Sequence, residues 1–116
     1  MLKELTKDFV KETHQKAGVY TISSKKEFGR VKGKSNIIYI GSSNNVRKRL
    51  LKLINVKKKH TANKRIEQLK EHGISLFFGV EYSSKYKDLE HNKIETYVRK
   101  HLETPPLNHA FKPEVK

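Results

Sequence analysis

Three short apolar runs, each rich in β-branched and aromatic residues, constrain the fold of this chain more than any other feature. They are AGVYTI (17–22), NIIYIG (36–41) and ISLFFGVEY (74–82). Runs of this length and character read as strands, and the first two, separated by a polar stretch holding Gly29 and Gly33, read as the arms of a hairpin. Around them the apolar residues switch to helical spacing. Leu2, Leu5, Phe9 and Val10 predict an amphipathic helix over 2–15, and Val46, Leu50, Leu53 and Ile54 predict another over about 44–55, capped from the SSNN run. Ala62, Ile66 and Leu69 predict a third over about 61–72 with Gly73 as its stop, and Leu89, Ile94, Tyr97, Val98 and Leu102 a last one over 86–102, ahead of Pro105 and Pro106. This order predicts an α+β fold: a small three-stranded, mainly antiparallel sheet flanked by helices, with an extra N-terminal helix. A length of 116 residues suits one domain, read as 17–116 preceded by a helical extension over 1–16.

Charge narrows the partners. Twenty-six Lys and Arg against 12 Asp and Glu give a formal net charge of +14, which favours encounters with polyanions, and nucleic acid is the natural one. The cations Arg47, Lys48, Lys52, Lys57, Lys58, Lys59, Lys64 and Arg65 are read as a phosphate-tracking surface for DNA. The connecting segment 23–34 carries five basic residues and one acid, and reads either as a flexible phosphate-facing arm or as a solvated loop. The chain has no cysteine, which excludes disulfides, thiolate zinc sites and cysteine nucleophiles. Any metal must therefore sit on oxygen or imidazole, and His14, His60, His72, His91, His101 and His109 form no recognisable ligand spacing. No apolar run approaches the roughly 20 residues needed to span a bilayer, and the N-terminus lacks the apolar block of a signal peptide, so a soluble, cytoplasmic protein with no membrane partner is expected.

Gly18-Val19-Tyr20 on the first strand and Tyr39-Ile40-Gly41 at the end of the second resemble the two halves of the GIY-YIG signature. They are followed by an arginine-bearing helix, a second helix, a strand, and a helix with a glutamate ahead of a proline-rich turn and an asparagine. That order resembles the whole domain of the GIY-YIG nucleases, over about 17–108. The resemblance implies a metal-dependent endonuclease acting on DNA with one divalent ion, Mg²⁺ or Mn²⁺. It places Tyr20 and Tyr39 across the hairpin from one another, with Gly18, Gly41 and Asn108 in support. It assigns the phosphate-stabilising arginine to Arg49 by its distance from Gly41, although on a helical wheel Arg47 lies nearer the apolar face. It assigns the metal carboxylate to Glu95, with Glu90 as rival because its wheel position falls between Ile94 and Tyr97. Asn108 reads equally as a catalytic group or as a fastening for the turn after the last helix. Two departures stand out: the segment between the tyrosines is long, and Leu53 occupies the place where homing-type relatives carry a histidine. The second shifts the proton-transfer role to Tyr20, as in repair-type members.

These residue types suit phosphodiester hydrolysis. A hard cation such as Mg²⁺ keeps several waters, so one carboxylate suffices to hold it. An arginine offers a planar, permanently charged fork to phosphate oxygens. An ordinary phenol titrates near pH ~10, and an arginine, a cation and basic surroundings are expected to favour Tyr20 phenolate as the general base. Tyr39 is expected to orient water or phosphate. The competing reading is a non-catalytic nucleic-acid-binding domain of the same fold, binding DNA or RNA without cutting it. A single active site on a monomer would nick one strand; a monomer or a weak homodimer is compatible with the sequence.

Overall fold

The computed structural model describes residues 2–55 and 61–108. Its elements are β1 (Lys3–Glu4), α1 (Lys7–Lys11), β2 (Gly18–Gly29), β3 (Lys34–Ser43), α2 (Val46–Leu53), α3 (Thr61–Glu71), β4 (Leu76–Tyr82) and α4 (Tyr86–His101). The strands form one antiparallel sheet in the order β1-β4-β2-β3. The α+β architecture expected from the sequence is present, with one strand more than the three apolar runs announced.

The added strand comes from the segment read as helix from residue 2. Lys3 and Glu4 pair with Phe78 and Phe77, and the Leu5 N–H donates to the Leu76 carbonyl at 2.8 Å. Main-chain pairing with the edge of β4 overrides the helical spacing of Leu2 and Leu5. The helix begins only at Lys7, where the Thr6 hydroxyl accepts from the Phe9 N–H as an N-cap. Leu5 and Val10 are buried and Leu2 is exposed, so this extension is stitched into the same core as the rest of the chain.

The segment 23–34 is also not the loop its composition suggested. β2 runs on to Gly29 and β3 starts at Lys34, with register shifts after Ile22 and after Ser23. A tight turn closes the hairpin, with the Arg30 N–H donating to the Gly33 carbonyl at 2.9 Å and Gly33 at φ 73°, a conformation that favours glycine. The basic residues are exposed along a hairpin rather than on a free arm: Lys34 is paired with Gly29, Lys25 and Lys26 lie on β2 within the register shift, and Lys32 lies in the turn.

The sheet separates two apolar layers. On one face Tyr20, Ile22 and Phe78 pack with Leu5, Val10, Leu50, Leu53 and Ile66 from the N-terminal segment and from α1, α2 and α3. On the other, Val19 and Ile40 pack beneath Ile94 of α4. Asn45, in the SSNN run, caps α2 by accepting the Lys48 N–H at 3.1 Å, and Gly73 at φ 78° ends α3. α4 ends with Leu102 in the left-handed region at φ 62°, which costs a leucine roughly 1 kcal/mol.

β3 is the outer strand, and its open side is closed by the tail. The Asn108 side chain accepts from the Ile40 N–H at 2.9 Å and donates to the Ile40 carbonyl at 2.8 Å, while the Leu107 N–H donates to the Ile38 carbonyl at 3.0 Å. Asn108 thus fills the place of a neighbouring strand, which gives it a definite structural duty. Because its two bonds are buried, Asn108→Ala is expected to lower stability by about 2 kcal/mol, read as a fall in the urea midpoint at unchanged slope. An unchanged midpoint would show that water replaces the amide without cost.

Candidate active site

The register of the hairpin sets the site. Tyr20 pairs with Gly41, and Ile22 with Tyr39, so the two tyrosines lie on one face, one diagonal step apart. Their ring centroids are 6.0 Å apart at an interplanar angle of 52°. A Cβ on Gly41 would stand 2.5 Å from the Tyr20 Cζ and Oη. Glycine at 41 therefore lets the phenol lie across β3, the outer strand. A Cβ on Gly18 would stand 2.6 Å from the Glu81 carbonyl oxygen, so the other motif glycine permits the close approach of β2 to β4.

From α2, on the same face as the rings, the Arg49 Nε–H donates to the Tyr20 hydroxyl at 3.4 Å. Arg47 is engaged elsewhere: its Nε–H donates to the Thr13 carbonyl at 2.7 Å and ties α2 to the end of the N-terminal segment. The wheel position of Arg47 near the apolar face reflects this fastening. Of the two arginines, Arg49 is the one whose side chain reaches the tyrosine pair.

The Tyr20 phenol is held well above the ordinary phenol range, first because it is buried, and then because the Tyr39 phenol lies beside it. The hydrogen bond and charge of Arg49 pull in the opposite direction and do not overcome burial. The proton-bearing form dominates at neutral pH. Arg49, one of the groups expected to favour phenolate, does lower the proton affinity of Tyr20, but burial of the ring outweighs it because charge is poorly solvated there. The Arg49 guanidinium, in turn, has its charged form reinforced, mainly by the bond to Tyr20.

The acids come from α4, on the opposite face of the sheet. Glu90 accepts a hydrogen bond from the Ser42 hydroxyl, one residue beyond Gly41 on the outer strand. Because β3 is the last strand, a carboxylate there meets the end of the second half-motif from the other side. Glu95 lies further along α4, with His91 Nε2 at 3.6 Å and Arg99 NH2 at 3.8 Å as ionic neighbours. The geometry thus favours Glu90 over Glu95 as the acid nearest the motif. The sequence carried the signal in two forms: the wheel position of Glu90 facing the sheet, and Ser42 directly after Tyr39-Ile40-Gly41, a residue that sequence reasoning passed over.

No group of three or more His, Asp or Glu side chains able to hold a metal occurs among the described residues. One partly exposed carboxylate beside a hydroxyl oxygen suits a hard cation that keeps most of its water, and does not suit a caged ion.

The basic residues are less unified than the sequence suggested. Arg47, Lys48 and Lys52 line one shallow cleft along α2. Lys64 and Arg65 are exposed on α3, and Arg65 borders a separate apolar groove with Phe28 and Leu69. Lys57, Lys58 and Lys59 lie outside the described residues, as do His60 and His109.

The sequence model of the GIY-YIG catalytic domain matches residues 16–108, which includes both half-motifs, α2, α4 and Asn108. The chain belongs to the GIY-YIG family. Comparison with curated proteins and with solved structures gave no match. GIY-YIG domains are nuclease domains acting on DNA, and the α+β sheet described above is consistent with that fold. Among the described residues no helix of this GIY-YIG domain is long and apolar enough to cross a membrane.

Proposed function

We propose that this GIY-YIG protein is an endonuclease that hydrolyses DNA phosphodiester bonds with one divalent cation. The observation that carries the reading is the buried Tyr20 phenol, hydrogen-bonded to Arg49, paired with Tyr39 and lying across a glycine on the outermost strand. The ring packs in the core, but a hydroxyl facing a charged guanidinium is more than packing needs and suits proton transfer.

In this reading Arg49 binds a non-bridging phosphate oxygen and offsets the charge that grows on phosphorus. Tyr39 orients the phosphate or the attacking water. Tyr20 accepts the proton of that water as its oxygen bonds to phosphorus and the P–O bond to the leaving sugar breaks. For this Tyr20 must first release its own proton, which Arg49 favours and burial opposes. Glu90 is the carboxylate proposed to hold Mg²⁺ or Mn²⁺, with Glu95 as the alternative the resemblance favoured. When bound, the ion would neutralise phosphate charge and steady the leaving oxygen. Lys48, Lys52, Lys64 and Arg65 contribute phosphate contacts that position the duplex without reading its sequence.

The reading is tested by incubating the purified protein with supercoiled plasmid in Mg²⁺, Mn²⁺ or EDTA. Nicked circles in either metal and intact plasmid in EDTA are expected, because one site on one chain cuts one strand. Duplex affinity is expected to fall about a hundredfold between about 50 mM and about 200 mM salt if some four phosphates are neutralised. Binding without cleavage in any metal would favour the non-catalytic reading, and cleavage that persists in EDTA would remove the metal from the mechanism.

A further inference from the structure

Two large apolar side chains are left in solvent at the same end of the molecule. Val31, in the turn between β2 and β3, is 69% exposed, and Leu102, at the end of α4, is 59% exposed. The two segments are fastened together: the Lys32 N–H donates to the His101 carbonyl at 3.1 Å, the Val31 N–H to the Glu103 carboxylate at 2.6 Å, and Arg30 to the Thr104 carbonyl at 2.6 Å. Buried His101 adds a ring nitrogen 2.9 Å from the Lys32 carbonyl. The apolar pair is therefore mounted on a stiff tip.

Leu102 stands at φ 62°, where a helix end favours glycine. A leucine there gives up backbone comfort and still leaves 59% of its surface in solvent, which neither helix nor core explains. Exposed Lys32, Lys34, Arg99 and Lys100 surround the tip. From it a groove of about 530 Å³ extends along α4, with Lys34, Asn36 and one acid, Glu27, on one wall and Asn92, Lys93 and Lys100 on the other. An apolar point in a basic collar suits a duplex, whose phosphates meet the cations while the apolar groups press on a base step. A protein partner would need a wider apolar patch than two side chains supply.

We propose that Val31 and Leu102 form a wedge that unstacks one base step of a duplex lying across the β3 edge, between the Arg49 face and α4, with Lys34 and Lys100 holding the adjacent phosphates. The inference rests on the DNA-acting reading above. Leu102 lies twelve positions beyond Glu90, about 18 Å at the helical rise, or about five base pairs of duplex. The unstacked step is thus placed about five base pairs from the cut.

The test moves a single 2-aminopurine one position at a time along a duplex and titrates it with the full chain in EDTA, the cut position being mapped separately in Mg²⁺. Wild type is compared with Val31→Ser, Leu102→Gly and the double variant, and each is also melted. Wild type is expected to raise the fluorescence at one step, about five base pairs from the cut. The double variant should abolish that rise and bind about tenfold more weakly. Leu102→Gly should weaken the rise while melting no lower than wild type, because glycine suits φ 62°. Should the double variant melt early, Leu102→Gly alone decides. Unchanged affinity and fluorescence in Leu102→Gly, with wild type still binding and cutting, would overturn the wedge and leave the nuclease reading intact. A wild type that binds no duplex would overturn both.

Discussion

Tyr20→Phe is expected to slow cleavage at least about a hundredfold, the range in which loss of a proton-transfer group falls. The fold should persist, because the ring that shares the core with Ile22 and lies over Gly41 is retained. Only the hydroxyl facing Arg49 is removed. The pH profile distinguishes a base from a mere hydrogen-bond donor. Burial and Tyr39 hold the Tyr20 proton on at neutral pH, so a reaction that needs the deprotonated phenol should quicken as pH rises through the alkaline range. Wild type should show this rise, and the residual activity of Tyr20→Phe should lack it. A rate that falls with rising pH while the protein stays folded would recast Tyr20 as a donor that must keep its proton. Wild-type rates in Tyr20→Phe would remove it from the chemistry.

The second large effect separates the two glutamates of α4. Glu90→Gln is expected to reduce cleavage about a thousandfold, with the remaining activity requiring much more Mn²⁺, because the amide leaves the bond to Ser42 possible but removes the charge that holds a cation. Glu95→Gln should stay within about threefold of wild type, since its neighbours are the exposed His91 and Arg99. Metal titrations of both variants check the claim. The reverse ranking would return the carboxylate to Glu95 and leave Glu90 as a clasp between α4 and the outer strand.

Much of the architecture was legible because the pattern and the forces agreed. The three apolar runs became β2, β3 and β4, α2, α3 and α4 fell within two residues of their predicted ends, and Gly73 ended α3 as its position suggested, whereas the first helix shrank from the predicted 2–15 to Lys7–Lys11. Failures occurred where a long-range contact decided the outcome. Leu2 and Leu5 carry helical spacing, yet the open edge of β4 draws Lys3 and Glu4 into the sheet. The polar residues 23–34 carry no strand signature, and their ladder rests on pairing across a turn and on fastening to α4 by Arg30, Val31 and Lys32. At the site, the two tyrosines could be paired from their motifs. The choice between Arg49 and Arg47 needed the Tyr20 hydroxyl and the Thr13 carbonyl in place. The contrast between Glu90 and Glu95 needed to show which turn of α4 faces Ser42. No local pattern records the depth at which Tyr20 is buried, and that depth sets its proton affinity.

The seal that Asn108 and Leu107 place on Ile40 and Ile38 bears on how copies of this chain can associate. The Ile40 N–H and carbonyl and the Ile38 carbonyl are taken in the middle of the outer strand, which opposes growth of a continuous sheet from chain to chain, the route to fibrils, at this border. Two molecules that cooperate to break both strands of a duplex are thus steered away from pairing at this border.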